Sequence, residues 1–165
     1  MDGTEGPALH PRAPGAVRAA PVAGSLGRGA AWLAKQVELA VGEVGLSLPQ
    51  YRILGVLGEG ASMPSALADR LTVRRPTVTA VVDGLEVRGL VERAPALAND
   101  RRRVTHTLTT KGRRLLAKAD ANVDARLRGI AACLDDPVRT DEALRSMELW
   151  RTAIRAYHAG QATRS

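Results

Sequence analysis

Apolar residues recur with helical spacing over most of the chain. The first such segment has apolar positions three or four residues apart, at Leu26, Ala30, Leu33, Val37 and Ala40. That spacing predicts an amphipathic helix. A second helix is predicted after Ser47, because a serine followed three residues later by Gln50 is typical of a capping box at a helix N-terminus.

Two shorter helices are predicted next, in close succession. The first runs from about Pro64 to Leu71, and a proline suits its first turn, where no N–H is needed. The second carries four apolar residues at i, i+3, i+4 and i+7, which are Val78, Val81, Val82 and Leu85. After a turn at 72–75, we expect Arg75 to be its N-cap and Pro76 its first residue, since the residue before a proline avoids the α region. Two helices joined by so short a turn form a helix-turn-helix.

Alternation with a period of two follows the helix-turn-helix. Residues 90–93 (LVER) and 104–109 (VTHTLT) predict two strands, and the second strand alternates threonine with Val104, His106 and Leu108. The loop between them, 94–103, is rich in turn-forming residues and ends in three arginines. Two short strands around a basic loop predict a β-hairpin wing.

Two longer helices are predicted beyond the hairpin. Thr109 or Thr110 can cap the first of them, and Pro137 separates it from the second. Their apolar stripes are Leu116, Val123, Leu127, Ile130 and Leu134, and then Leu144, Met147, Trp150, Ile154 and Tyr157. These stripes lie far in sequence from the helix-turn-helix, so we expect them to pack on each other or on a second chain. The fold class is therefore mainly α with a small β-hairpin wing.

Composition adds two limits. The length of 165 residues suits one domain, and the core must be built from Leu, Val and Ala, because phenylalanine is absent and only two Trp and two Tyr occur. No apolar run is long enough for a transmembrane helix, and the N-terminus lacks the pattern of a signal peptide. We therefore expect a cytoplasmic protein that makes no use of a membrane.

The net charge of +7 is concentrated in one segment. Residues 74–118 contain eleven basic and four acidic residues, a difference that equals the charge of the whole chain. A basic surplus of this kind suggests a polyanionic partner such as DNA. A solvated basic face explains the same charge equally well from composition alone.

Several kinds of chemistry find no support in the sequence. His10, His106 and His158 are far apart and lack ligand spacing, so no metal or other cofactor is expected. No nucleophile motif, phosphate-binding loop or carboxylate pair is present, and we do not expect an enzyme. Cys133 excludes an internal disulfide, and its apolar neighbours predict a small buried hydrophobic residue rather than a redox switch.

Three segments together resemble the MarR family of winged-helix transcriptional regulators. They are GLSLPQYRIL (45–54), LADRLTVRRPTVTAVVDGLEVRGLVER (67–93) and DRRRVTHTLTTKGRRLL (100–116). The resemblance implies a homodimer that reads a palindromic double-stranded DNA site, most often as a repressor. Residues 1–24 are rich in Pro, Gly and Ala without periodicity, which predicts a disordered tail. Beyond it, the resemblance implies an N-terminal dimerisation helix (25–45), a winged helix-turn-helix (46–110) and C-terminal dimerisation helices (111–158), followed by a second tail (159–165).

The resemblance also assigns DNA contacts to individual residues. Positions that match groove and phosphate contacts are Arg74, Arg75, Thr77 and Thr79 on the second helix of the helix-turn-helix. In the wing, Asp100 matches an acid that orients Arg102 toward the minor groove, and Arg101 and Arg103 would support phosphate contact. The family commonly has Ser or Thr in place of Arg74 and a small polar residue in place of Pro76. The wing loop is also one residue longer than the common pattern.

Members of this family often bind small phenolic or aromatic anions between the dimerisation and DNA-binding regions. Trp32 and Tyr51 are the aromatic candidates for such an effector, although a role in the core or an interface fits both positions better. The rival hypothesis for the whole chain is a helical dimer that acts as a protein-interaction module without specific DNA binding.

Overall fold

The computed structural model describes residues 24–60, 62–95 and 104–162. Within these ranges the chain forms six helices and one antiparallel hairpin, as the sequence predicts. The elements are α1 (Ser25–Gly42), α2 (Leu48–Gly58), α3 (Pro64–Leu71), α4 (Arg75–Val87), β1 (Val91–Pro95), β2 (Val104–Leu108), α5 (Thr110–Ala132) and α6 (Pro137–Ala162). Helix α6 continues through Ala162, beyond the end at residue 158 expected from the sequence.

Local side-chain signals place the starts of several helices. The predicted capping box of α2 is confirmed: the Gln50 amide N–H donates to Ser47 Oγ at 3.4 Å, and the Ser47 N–H donates to Gln50 Oε1 at 3.0 Å. Thr109 caps α5 by accepting the Gly112 N–H at 3.0 Å. Pro64 opens α3, as expected. The hydrogen bonds at Ser47 and Thr109 satisfy N–H groups at the helix start that have no partner inside the helix.

Helix α4 begins one residue earlier than the sequence predicts. Arg74 is its N-cap, with an extended backbone (φ −69°, ψ 142°), and its carbonyl accepts the N–H groups of Thr77 at 3.0 Å and Val78 at 3.3 Å. The prediction of Arg75 as the N-cap was therefore wrong. The restriction on the residue before a proline is a preference, and Pro76 loses no helical hydrogen bond at the second position of the helix either.

The end of α4 turns the chain directly into the hairpin. Gly89 has φ +67°, the left-handed conformation that glycine adopts without a Cβ penalty. Its N–H donates to the Glu86 carbonyl at 2.8 Å, and the Leu90 N–H donates to the Leu85 carbonyl at 2.9 Å. This is a Schellman motif, and both leucines are buried in the core. Gly89 therefore ends the helix and directs the chain into the first strand.

The hairpin is fixed at its base and extends away from the core. Its register pairs Val91 with Leu108 at the buried end and Pro95 with Val104 at the other. Ser62 extends the sheet by one bridge, exchanging backbone hydrogen bonds of 3.0 and 2.8 Å with His106. The hairpin therefore leaves the body at a defined position beside α4.

The core is aliphatic, as the composition requires. Its largest fully buried side chains are Leu54, Leu67, Leu85, Leu90, Val41, Val78 and Val82. The predicted apolar stripe of α4 is buried, except for Val81, which is half-buried, and α3 buries Leu67, Ala68 and Leu71. This core joins α2, α3, α4 and the hairpin base to the facing parts of α1 and α5.

The terminal helices cover each other only in part. Helix α1 packs on α5, where Arg126 donates to Gln36 at 3.2 Å and to Glu43 at 2.8 Å. Large apolar side chains nevertheless remain exposed on all three terminal helices, including Leu26, Trp32, Ile130, Val138, Leu149, Trp150, Ile154 and Tyr157. A single subunit therefore leaves much of the predicted apolar stripes in contact with solvent.

Cys133 is exposed, so its prediction as a buried hydrophobic residue was wrong. It is the C-cap of α5, and its thiol approaches the Gly129 carbonyl at 3.5 Å. The rotation of the helix turns Ala131 inward, while Ile130 and Leu134 are partly exposed on either side of the cysteine. Cys133, Ile130 and Leu134 thus belong to a surface that one subunit does not cover.

None of the helices in the described ranges has the length and apolar character required to cross a membrane.

Candidate DNA-binding surface

The N-terminal turn of α4 presents all four predicted contact residues to solvent. Arg74 and Arg75 occupy the N-cap and the first helical position, and Thr77 and Thr79 follow on the exposed side. The buried stripe on the opposite side of the helix fixes this orientation. Thr79 donates its hydroxyl to the Arg75 carbonyl at 3.2 Å, which holds that side chain along the helix.

Three basic side chains at the other end of α4 and at the start of α5 are engaged within the protein. Arg88 donates to Gln50 at 3.1 Å, Lys111 to the Arg88 carbonyl at 2.7 Å, and Arg113 to the Leu108 carbonyl at 2.7 Å. Within the described ranges, Arg74 and Arg75 make no ion pair or side-chain hydrogen bond. Two guanidinium groups at a helix N-terminus, where the helix dipole disfavours cations, are therefore available for an external anion.

A carboxylate of α4 joins both strands of the hairpin to this helix. Glu86 accepts from Arg93 Nε on β1, at 3.0 Å (Oε1) and 3.2 Å (Oε2), and its Oε1 lies 3.1 Å from His106 Nε2 on β2. Asp83 Oδ1 lies 3.6 Å from an Arg93 terminal nitrogen. The hydrogen bond to Glu86 raises the pKa of Arg93. Sequence spacing gave no signal for this cluster, because its members lie in three different elements.

The predicted wing-tip residues Asp100, Arg101, Arg102 and Arg103 lie outside the described residues. Beyond the strand ends at Pro95 and Val104, their roles stay predictions.

A second feature is a cleft of about 1110 Å³ bounded by α2, α3, α5 and α6. Tyr51 lies in it and donates its hydroxyl to Asp120 Oδ1 at 2.7 Å. Burial is the largest cause that raises the pKa of Tyr51, and the hydrogen bond to Asp120 raises this pKa further. The phenol therefore stays protonated. Trp32 lies on the exposed side of α1 and is not among the described residues that line the cleft. The structure therefore separates the two aromatic candidates.

The charged residues of the cleft are balanced. Four are basic and four acidic: Arg52, Arg70, Arg151 and Arg155, against Glu59, Asp69, Asp120 and Glu148. Glu59 pairs with both Arg70 and Arg155, and the hydrogen bond from Arg70 lowers the pKa of Glu59 more than burial raises it. These two ion pairs tie α2 to α3 and to α6. Charge alone thus gives the cleft no strong preference for an anion.

Comparison with known proteins identifies relatives of the same architecture. A MarR family model matches residues 44–103. The chain is 34% identical over 119 residues to the HTH-type transcriptional repressor Rv2887 of Mycobacterium tuberculosis, a match that covers 72% of this chain and 85% of the repressor.

Two solved structures of MarR family protein Rv2887 are also similar to this fold. The complex with DNA has a TM-score of 0.64 and 29% identity, and the match covers 80% of this chain and 98% of that one. The complex with p-aminosalicylic acid has a TM-score of 0.64 and 30% identity, with 79% and 98% covered.

Proposed function

This chain belongs to the MarR family of transcriptional regulators, and we propose that it is a repressor that binds a palindromic double-stranded DNA operator as a homodimer. The observation that carries the proposal is the pair of unengaged guanidinium groups at the start of α4. In helix-turn-helix proteins the N-terminal residues of the second helix contact base edges in the major groove. Arginine suits this position because it pairs with guanine or with phosphate.

The proposed mechanism is occlusion of a promoter in the cytoplasm, without catalysis. Arg74, Arg75, Thr77 and Thr79 would contact the major groove and its phosphates. Asp100 would orient Arg102 toward the minor groove, with Arg101 and Arg103 on the flanking phosphates. The two halves of the operator would be related by two-fold symmetry and lie about 34–36 Å apart, one turn of DNA.

Genomic selection tests this function directly. Sequencing the genomic fragments that the purified protein retains should yield a palindromic site. Affinity for that site should fall steeply as salt rises, because each phosphate contact releases counterions. The rival hypothesis, a protein-interaction module with a solvated basic face, requires that no sequence be enriched and that retention be weak at all salt concentrations.

The exposed apolar side chains of α1, α5 and α6 support a homodimer interface. Trp150, which is 61% exposed in one subunit, lies among them. We expect the protein to be a dimer by light scattering at micromolar concentration. Trp150→Asp should produce monomers or insoluble chain, because a carboxylate would be buried without a partner. Val87→Asp is the matched control: Val87 is 90% exposed on α4, and its variant should remain dimeric. A well-folded monomer of the unmodified protein would contradict the interface.

We also propose that a small aromatic effector binds the cleft and releases the protein from DNA. The cleft lies between the helix-turn-helix and the terminal helices, so an occupant contacts both α3 and α6. The p-aminosalicylic acid complex of the similar Rv2887 makes this compound a suitable probe. Tyr51 would offer its ring to the probe, whereas Trp32 would serve the dimer interface. The balanced charges of the cleft leave recognition to shape and to the aromatic ring.

Blocking the cleft should remove the response to the probe. A Cβ added at Gly55 meets no atom within 4 Å, so Gly55→Leu can fill the cleft without forcing the helix backbone to move. We expect p-aminosalicylic acid to weaken operator binding by the unmodified protein in a fluorescence-anisotropy titration. Gly55→Leu should bind the operator normally and respond less. An equal response in both proteins would place the effector elsewhere.

A further inference from the structure

We propose that Glu86 is a positioning residue for DNA binding, which holds both strands of the hairpin in place against α4. This inference rests on the proposed function. It concerns a carboxylate on the α4 helix, and carboxylates ordinarily oppose DNA binding by repelling phosphate. Its two partners, Arg93 and His106, face each other across the hairpin as a directly opposed pair. One side chain of α4 therefore contacts β1 and β2 at the same level.

The position of this pair within the hairpin explains how its contacts with Glu86 affect the orientation of the hairpin. Five residue pairs form the register, and Arg93 with His106 is the middle one. Below it, Val91 and Leu108 anchor the hairpin in the core. Beyond it, a cleft of about 210 Å³ lies between α4 and the hairpin, lined in part by Thr79, Asp83 and Val104. This cleft separates the outer half of the hairpin from α4, so the polar contacts of Glu86 with Arg93 and His106 are the main link between α4 and both strands at this level.

His106 makes this contact specific. The side chain is 5% exposed, and its Nδ1 atom is buried without a hydrogen-bond partner in the described part of the chain. Its Nε2 atom lies 3.1 Å from Glu86 Oε1, and a carboxylate only accepts hydrogen bonds, so the ring tautomer with a proton on Nε2 is the one that suits this contact. That contact is the ring's polar anchor. Losing it would leave the second nitrogen of the ring without a polar partner and free the ring to turn away from α4.

The direction in which DNA affinity changes when Glu86 is replaced distinguishes a positioning role from a purely electrostatic one. Removing a negative charge near the DNA should tighten binding if charge alone matters. Removing the anchor of the hairpin should weaken binding, because the hairpin no longer meets the DNA at a fixed angle. Glu86→Ala removes charge and anchor together, whereas Glu86→Gln removes the charge and keeps an acceptor oxygen for both donors.

Glu92 provides the matched control. It is an exposed glutamate on β1, one residue before Arg93 and therefore on the opposite face of the hairpin. Glu92→Ala removes the same charge at nearly the same place and leaves the cluster intact. It should bind the selected operator as tightly as the unmodified protein or somewhat more tightly, and so should Glu86→Gln.

The test measures operator affinity, hydroxyl-radical protection of the DNA, and amide exchange of residues 91–95 and 104–108 without DNA. We expect Glu86→Ala to bind about tenfold more weakly, the equivalent of one hydrogen bond to a charged group. Protection should fall at the operator edges and persist at its centre, and exchange in the hairpin should quicken. If Glu86→Ala folds poorly, His106→Leu serves as the second variant. It keeps the core apolar, removes the contact with Glu86, and should give the same result.

Two outcomes would overturn the inference. One is Glu86→Ala binding as tightly as Glu92→Ala with full protection at the edges. The other is unchanged amide exchange in the hairpin of both Glu86→Ala and His106→Leu. The exchange measurement needs no DNA, so it still decides the role of Glu86 if the unmodified protein retains no genomic fragment and the proposed function fails.

Discussion

Arg75→Ala is expected to relax the base preference at one position in each half of the operator. Arg75 occupies the first position of α4, where its guanidinium is exposed and free of intramolecular ion pairs in the described ranges. A bidentate arginine–guanine pair contributes roughly 1–3 kcal/mol of discrimination against a wrong base. Binding selections on a randomised operator, run with both proteins, should show that preference disappear while the other positions keep theirs.

A phosphate contact would give a different result. Its loss weakens binding to all sequences alike and lowers the slope of affinity against salt by about one. Arg114→Ala is the control for the loss of one positive charge, because Arg114 is an exposed arginine that lies on α5 rather than on α4. If Arg75→Ala keeps the base preferences of the unmodified protein and loses affinity uniformly, Arg75 contacts the backbone only. Base readout would then fall to Arg74, Thr77 or Thr79.

Gly112→Ala is expected to destabilise the protein more than the other substitutions. A Cβ added at Gly112 would lie 2.0 Å from the Leu90 carbonyl oxygen, a backbone atom that cannot move alone. The same oxygen accepts the Thr109 N–H at 3.1 Å. Separating α5 from this turn should cost about 3 kcal/mol, the upper part of the range for overpacked cores. Thermal unfolding should then occur roughly 6–12 °C lower, by the usual scaling for chains of this size.

Gly129 lies in the same helix, and its substitution by alanine is expected to raise the stability of the protein rather than lower it. A Cβ added there meets no atom within 4 Å, and the residue is exposed. Gly129→Ala should therefore stabilise the protein by about 0.5–1 kcal/mol, the ordinary preference of a helix for alanine over glycine. Thermal unfolding of both variants at equal concentration compares them directly. A Gly112→Ala variant as stable as Gly129→Ala would refute the close approach of α5 to Leu90.

Features governed by neighbours in the chain could be predicted from the sequence. The Ser47 capping box, the start of α3 at Pro64 and the turn at Gly89 each depend on contacts within a few residues. The stripe of α4 was also predictable, because one periodic pattern fixes which side of a helix is buried. The start of α4 was missed by one residue because Arg74 and Arg75 are both compatible with the cap position.

Features that depend on the packing of distant segments could not be predicted. Cys133 has apolar neighbours, but the rotation of α5 against α1 decides which of them are buried. The cluster of Glu86, Arg93 and His106 requires a hairpin folded back on the helix before it. The cleft around Tyr51 likewise arises where four helices meet. None of these arrangements leaves a periodic pattern or a fixed spacing in the sequence.

The placement of the two tryptophans gives the protein a built-in optical reporter. Trp32 and Trp150 are the two indoles of the chain, and they lie exposed on α1 and α6, remote in sequence from the helix-turn-helix. Intrinsic indole emission therefore originates from the terminal helices alone. Its wavelength shifts to the blue when those rings leave water, so the proposed association of subunits can be followed without a label, and the proposed DNA-binding surface contributes no indole emission.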